Sequence, residues 1–485
     1  MLLALTLLLA VGALVRVWFF LVWSPGITGY SDSGIYFQDS VVSLWTDPIR
    51  TVGYSMFLRA LHAISPHLIL VIIVQSVLGL FAALLFFLAV RRCGGPRGLG
   101  LAPAAIIALG GDELFLEHSA LSDSLFIFLI SAMLYCAVRA SKVSLRWAAL
   151  AGLCAGLGVW DRGAAVAMVG VIPLWLLFSA GRPHRRTLAA AALSLVVSLA
   201  FIGGYIEWRH ADTGLSGLTT NNAWNLYSRV APWADCTKFT PPSGTQFLCE
   251  STPPSQRGIR AGEDYIYALP DESLSTARQV FGPAYLVSTY PHAMSLLERW
   301  SKAAILGEPS AYLHAVWLDT LRLFDPSRPS YGDRSANELV SFLLYGPDMH
   351  SGVNEFVGYW QKLLYPHDPA THRGAVGPFK EWERITRIDG VWMAILLALC
   401  LAGPWLAVAG TRSGTTLFAA SALTLLFFPI VTKGYDYRFV IPAYGPLMAA
   451  GVLSAWGLLV RLRPRARRLG SAWSPGRRLS APGRG

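Results

Sequence analysis

Asp32 follows an apolar run, residues 1–23, that closes on Trp18, Phe19, Phe20 and Trp23. The segment Gly29-Tyr-Ser-Asp-Ser-Gly-Ile-Tyr36 places this carboxylate at the mouth of the first membrane-length helix, where it suits general-base chemistry at a bilayer surface. More ionisable residues gather between later apolar runs. The first such segment carries Asp32, Asp39, Asp47 and Arg50, and the second carries Asp112, Glu113, Glu117, His118 and Asp123. The third carries Asp161 and Arg162, and the last Lys433, Asp436 and Arg438. Carboxylates and arginines on one face suit a reaction that needs a base beside an anion. A phosphate-linked substrate answers both demands.

The elements that must position these groups are membrane helices. The chain is 54% hydrophobic and 14% charged, with 17 Trp and a mean hydropathy of +0.45, which marks an all-α polytopic membrane protein. Hydropathy predicts about ten spans, near 1–23, 67–90, 99–116, 120–138, 145–160, 163–180, 188–208, 388–410, 414–431 and 438–460. Residues 1–23 lack a basic start and a small-residue cleavage site, so they read as a retained anchor.

The net charge of +11 sits in short loops and in the C-terminal tail, so topology explains it without a nucleic-acid partner. A cytoplasmic N-terminus puts Arg91, Arg92, Arg97, Arg139, Lys142, Arg146, Arg182, Arg185, Arg186, Arg412 and Arg461 on the cytoplasmic side. Asp32 and the stretch 209–387 then face outward. The Ala/Leu/Arg/Gly-rich composition suggests a bacterial inner membrane, with both termini cytoplasmic.

This reading divides the chain into a seven-helix module (1–208), an extracytoplasmic loop domain (209–387), three C-terminal helices (388–460) and a basic cytoplasmic tail (461–485) expected to be disordered. Cys236 and Cys249 lie in the exported region, where oxidation is permitted, and are expected to form a disulfide. In the first exported loop, 36–47 and 54–64 read as interfacial helices. Tyr54, Phe57, Leu58 and Leu61 share a face that would lie on the bilayer and roof a site.

Five short stretches, Arg16 with Asp32 to Tyr36, Arg50 to Phe57, Ser122 to Phe126, Gly152 to Arg162 and Asp436 to Pro442, together resemble GT-C glycosyltransferases, in the branch of protein O-mannosyltransferases and the lipid A aminoarabinose transferase. Arg16 with Asp32-Ser-Gly-Ile-Tyr36 resembles that branch's helix-one Arg and its Asp-x-x-x-Tyr loop. Arg50-Thr-Val-Gly-Tyr54-Ser-Met-Phe57 resembles Arg-x-Pro-Gly-Tyr-Pro-x-Phe, and Ser122-Asp123-Ser-Leu-Phe126 resembles Ser-Glu-x-x-Phe. Gly152 to Arg162 resembles Gly-x-x-x-Gly-Leu ending in Thr-Arg, and Asp436-Tyr-Arg-Phe-Val-Ile-Pro442 resembles Arg-Tyr-x-x-Pro. The likeness covers 1–208 and returns at 432–451. Val52 and Ser55 stand where the branch has prolines, Asp123 where it has Glu, and Asp161 where it has Thr.

The resemblance implies an inverting transfer from a polyprenyl-phosphate sugar, with Asp32 as general base and Arg50, Arg162 and Arg438 holding the phosphate. Asp112 and Glu113 stand where relatives carry second-loop acids, which orient an acceptor or help bind a divalent cation. No cofactor follows from the sequence, and no His/Cys cluster has zinc spacing. The acceptor is left open among a glycan, a lipid and an exported protein, with membrane lipids the remaining partner.

Plainer roles stay open at each position. Asp32 also suits a helix cap, Arg50 a snorkelling side chain, Asp161-Arg162 a hairpin-tip pair, and Asp112-Glu113 a solvated pair. Two rival functions fit as well: a polytopic flippase or transporter of lipid-linked sugars, and a non-catalytic assembly protein docking through 209–387. A transporter needs charges deep within its helices, and the chain shows no internal repeat.

Overall fold

Apolar runs fold as helices because a backbone in hydrocarbon must satisfy its own hydrogen bonds. The computed structural model describes residues 1–28, 31–141, 144–179, 184–257, 265, 276–281, 291–326, 351–369, 372–375 and 377–471. Among these, seven stretches are long and apolar enough to cross a membrane: Leu2–Val22, Leu68–Arg92, Asp123–Ala140, Arg185–Thr213, Gly377–Leu406, Ala409–Thr432 and Tyr437–Leu462. The chain is an all-α polytopic membrane protein.

The first half runs α1 (Leu2–Val22), β1 (Trp23–Ser24), α2 (Ser31–Val41), α3 (Gly53–His62), α4 (Leu68–Arg92), α5 (Leu101–Leu109), α6 (Gly111–His118), α7 (Asp123–Ala140) and α8 (Leu145–Asp161). Then come α9 (Val166–Val169), α10 (Val171–Ser179), α11 (Arg185–Thr213), α12 (Asn222–Val230), α13 (Thr276–Phe281), α14 (Pro291–Gly307), α15 (Pro309–Arg322) and α16 (Ser351–Leu364). The chain closes with β2 (His372–Arg373), α17 (Gly377–Thr386), α18 (Gly390–Leu406), α19 (Ala409–Thr432), α20 (Tyr437–Val440) and α21 (Tyr444–Ser471).

The other three expected spans are helical but short or interrupted. Residues 99–116 break at Gly110, whose extended backbone (ψ 129°) separates α5 from α6. The break leaves carbonyls at the end of α5 without helical partners, and Arg16 of α1 supplies one: its Nη1 donates to Ala108 O at 2.6 Å and to Gly12 O at 2.9 Å. Helix α8 has 17 residues, and the 163–180 segment opens with a 3-10 turn, Gly163–Ala165.

Helices α4, α7, α8 and α11 pack in succession, and α18, α19 and α21 form a second group joined to the first through α5 and α4. One apolar core runs through both groups, with Phe86, Phe87, Met133, Phe418 and Leu447 among its buried members. A separate core around Trp224, Tyr227 and Trp300 lies in the region after α11, where Cys236 and Cys249 are joined by a disulfide.

Two expectations need correction. The apolar face of α3 does not lie on the bilayer; Tyr54 and Leu58 are buried with Tyr36, Phe37, Leu68, Val71, Val357 and Tyr365. Amphipathic spacing marks an apolar face but not what covers it, and here α16 and the start of α4 cover it. The tail also continues α21 as far as Ser471, its Arg, Leu and Ala favouring helix while Pro464 opposes it; residues 472–485 lie outside the described set.

Helices α16 and α17, with β2 between them, return to the first half of the chain. Helix α16 packs against α2, and β2 pairs antiparallel with β1 in the register Trp23 to Arg373. Phe379 of α17 stacks on Phe19 with ring centroids 3.9 Å apart, and Trp382 Nε1 donates to Leu109 O at 2.7 Å. These contacts hold the ends of α1 and α5, and so the two loops that carry the acidic residues.

Candidate active site

Each charged group sits where a helix starts or stops. Asp32 lies in the first turn of α2 and Asp123 in the first turn of α7, positions where the exposed amides favour a carboxylate. The strand-like segment before α2 is fixed by Ile27 N–H donating to His118 O and by Ala120 N–H donating to Ile27 O, both at 2.9 Å. Arg50 precedes α3, whose start abuts the end of α8. A Cβ on Gly53 would lie 2.5 Å from Trp160 O, so only glycine permits the approach, and Thr51 Oγ1 donates to Asp161 O at 2.9 Å. Arg438 lies in the short α20, where Asp436 Oδ1 accepts its N–H at 2.8 Å.

These ends converge on one set of ion pairs. Arg50 donates to Asp32 Oδ1 through Nε at 3.0 Å and through Nη2, and its Nη1 reaches Asp47 Oδ2 at 3.1 Å. Arg438 donates through Nη1 to Asp32 Oδ2 at 2.8 Å, and through Nε (3.0 Å) and Nη2 (2.7 Å) to Asp123 Oδ2. Arg162 Nη1 pairs with the other oxygen, Asp123 Oδ1, and its guanidinium lies 5.5 Å from the Phe439 ring centroid. Lys433 Nζ lies 5.2 Å from that ring. The structure thus brings Asp32, Arg50, Arg162 and Arg438 into one chain of contacts. Arg162 connects to Asp32 through Asp123 and Arg438.

Asp32 keeps 20% of its side-chain surface accessible, against 0% for Asp123. Of the two carboxylates it is the one a substrate can meet. Burial pushes its carboxyl up, but the Arg50 and Arg438 guanidiniums beside it outweigh burial and hold it well below the usual carboxylate range. Behind it, burial and the like charge of Asp47 push Asp39 up to about 8. Asp39 Oδ1 accepts the Asp47 N–H at 3.0 Å.

The tyrosines of the first loop form a supporting layer. Tyr36 hydroxyl donates to Ser122 Oγ at 3.1 Å, while burial and the nearby Asp32 charge push its own titration up. The Tyr54 ring stands 4.8 Å from the Tyr36 ring, and its hydroxyl donates to Gln75 Oε1 at 2.6 Å. Gln75 in turn donates to Glu117 O at 2.7 Å and Ser119 O at 2.8 Å. Arg16 donates to both Glu117 carboxylate oxygens at 2.6 Å. One polar relay therefore runs from α1 through α6 to the tyrosines behind Asp32.

Asp112 and Glu113 are buried at the start of α6 and are not partners of Asp32, which is held by Arg50 and Arg438. Glu113 lies within electrostatic reach of Glu117, Asp112, Arg16 and Asp123, and on the α17 side Thr386 Oγ1 accepts the Gly111 N–H at 2.9 Å. Among the described residues, no group of three or more His, Cys, Asp or Glu is arranged to hold a metal ion.

Sequence reasoning missed Gln75, the pairing of Glu117 with Arg16 and the bridging part played by Asp123. Gln75 carried a usable signal, being a polar side chain within the apolar run Leu68 to Leu80. Asp161, which the sequence reading set beside Arg162, has both carboxylate oxygens buried without a hydrogen-bond partner among the described residues, while Arg162 Nη1 takes Asp123.

Fold and site together define a polytopic membrane protein with a carboxylate–arginine centre at one end of its helices. No protein-family model and no curated protein sequence matches the chain. Among solved structures it is similar to the oligosaccharyltransferase of Archaeoglobus fulgidus. The apo form is 15% identical, with a TM-score of 0.44, over 98% of this chain and 53% of that one. The archaeal oligosaccharyltransferase AglB from the same organism, with an inhibitory peptide and a dolichol-phosphate, is 14% identical with a TM-score of 0.44, over 98% of this chain and 52% of that one. The form with zinc and sulfate is 14% identical with a TM-score of 0.45, over 96% of this chain and 51% of that one. The chain spans about half the length of these structures.

Proposed function

We propose that this chain is an inverting glycosyltransferase that moves a sugar from a polyprenyl-phosphate donor to an acceptor hydroxyl, with Asp32 as general base. In this reading it works on the extracytoplasmic face of a bacterial inner membrane, with both termini cytoplasmic. The observation that carries it is the partly accessible Asp32 carboxylate, gripped by Arg50 and Arg438 at the ends of membrane helices.

The chemistry follows from that arrangement. The donor phosphate takes guanidinium donors from Arg50 and Arg438, with Arg162 adding positive charge behind them. As the arginines turn to the phosphate, Asp32 loses the charges that suppress its basicity and regains the ability to take a proton. The acceptor O–H gives its proton to the Asp32 carboxylate while its oxygen attacks the anomeric carbon. The bond from that carbon to the phosphate oxygen breaks, and its electron pair leaves with the polyprenyl phosphate. Attack opposite the leaving group inverts the anomeric configuration, and a phosphate needs no acid to leave. Helices α16 and α17 pack on α2 and α6, and this reading assigns acceptor binding to the sequence stretch 209–387 to which they belong.

The test is transfer by purified protein in vesicles supplied with a panel of labelled polyprenyl-phosphate sugars. Label moved to an acceptor with inverted configuration supports the reading. Absence of transfer from every donor, under conditions where a related enzyme works, overturns it.

A further inference from the structure

Helix α15 wears its side chains the wrong way round for a helix in water. Its outer face carries Leu313 (63% exposed), Trp317 (57%), Leu318 (47%) and Leu321 (43%), with Ser310 and His314 beside them. Its acidic residue points inward: Asp319 is buried and pairs with Arg229 of α12, and Arg322 Nη1 donates to Asp319 Oδ1 at 3.0 Å. A helix lying on a soluble domain shows the opposite pattern, with charges outside and apolar residues against the core.

Both ends of α15 are pinned to membrane spans. Near its start, Tyr312 hydroxyl donates to Val431 O at 2.9 Å, in the last turn of α19. Just past its end, Phe324 and Pro326 line a shallow pocket with Asp389, Gly390, Val391 and Trp392 at the start of α18, and a Cβ on Gly390 would lie 3.7 Å from Phe324 O. Helices α18 and α19 are packed neighbours in sequence, so the end of one and the start of the other lie on the same side. Arg438 follows α19 on that side, so α15 lies on the side of the ion pairs around Asp32. With 14 residues α15 measures about 21 Å, too short to cross about 30 Å of hydrocarbon. The exposed Val391 (73%) and Trp392 (66%) continue the same apolar surface onto α18.

From this we infer that α15 is a lipid-embedded helix lying along the membrane on the side of Asp32, its outer face against phospholipid acyl chains. The lipid holds the region after α11 down on the bilayer, and Asp319 with Arg229 and Arg322 joins the helix to the α12 core. The inference does not depend on the reaction assigned to the chain.

The test uses the full-length protein in phosphatidylethanolamine–phosphatidylglycerol vesicles. Spin labels are placed at Trp317→Cys and Leu321→Cys, with Lys238→Cys as a control, since Lys238 is 62% exposed near the disulfide. Collision with oxygen, which concentrates among acyl chains, is compared with collision with a water-soluble nickel complex. Oxygen should dominate several-fold at 317 and 321, and the nickel complex at 238. Dominance of the nickel complex at 317 and 321 would overturn the inference. So would protection from both reagents with spin–spin broadening that vanishes on dilution with unlabelled protein, because a second copy would then cover the face. Should the variants not fold, the unaltered chain is photolabelled with a phospholipid carrying a carbene precursor on its acyl chain. The tryptic peptide 303–322 should take label, and labelling confined to the spans would contradict the inference.

Discussion

Arg438 and Asp32, 406 residues apart, meet at 2.8 Å between Nη1 and Oδ2, while the same guanidinium holds Asp123 Oδ2 at 2.7 Å through Nη2. One side chain from α20 thus fastens the starts of α2 and α7. Without this clamp Asp32 would be held by Arg50 of its own loop and Asp123 by Arg162, and the contact joining the two acids would be lost.

Asp123 anchors two arginines, so its loss should be felt twice. Removing one member of a buried ion pair typically costs about 3–5 kcal/mol, because the remaining charge is left uncompensated. We expect Asp123→Asn to lower the unfolding temperature and to reduce sugar transfer by about 100-fold or more, a loss in the range seen when a charge-stabilising group is displaced. In a double-mutant cycle with Arg162→Gln the effects should be strongly non-additive. Additive losses would mean that the two residues do not act as a pair.

Gly79 permits the Arg16–Glu117 pair. A Cβ there would lie 1.8 Å from Glu117 Oε1, and Glu117 is not free to move because Arg16 grips both its oxygens. Gly79→Ala should therefore break or shift a buried pair, at a cost of about 3–5 kcal/mol. Thermal unfolding in detergent should show a clear loss. An unchanged unfolding temperature would contradict the packing of α4 against α6.

Asp39 gives the fold a pH dependence. Its carboxyl is raised from 3.8 to about 8, so the folded chain binds this proton more tightly than the unfolded chain does. Its contribution to stability is full below about pH 4, shrinks as pH rises, and is lost once pH passes about 8. Stability should fall between pH 6 and 8.5, and Asp39→Asn should flatten that fall while still accepting the Asp47 N–H. Parallel curves for the two proteins would assign the slope to other groups.

Much of the site was legible in the sequence because membranes make charge placement informative. Asp32, Arg50, Arg162 and Arg438 stood out as ionisable residues at helix ends, and the structure brings all four together. Which carboxylate each arginine takes was not legible, since Arg438 and Asp123 lie 315 residues apart and meet through the fold, which packs the 3-10 turn Ile441–Ala443 just after α20 against α7. Tyr54 was expected at the site, but its hydroxyl turns to Gln75. The return of α16 and α17 onto α2 and α6 was hidden because residues 209–387 share no motif or period with the helices they cover. For α3 and α15 alike, spacing marked the apolar face and left its partner open: the protein core in one, acyl chains in the proposal for the other.

The most direct test of the central claim is sugar transfer in vesicles by the wild type and by Asp32→Asn, at matched expression and fold. Asn keeps the shape of the side chain but neither the charge held by Arg50 and Arg438 nor the ability to take a proton at physiological pH. We expect transfer from at least one polyprenyl-phosphate sugar by the wild type, and a fall of about 100-fold or more in the variant, within the usual range for loss of a general base. Equal transfer by both proteins would remove Asp32 from the reaction and contradict its role as the base.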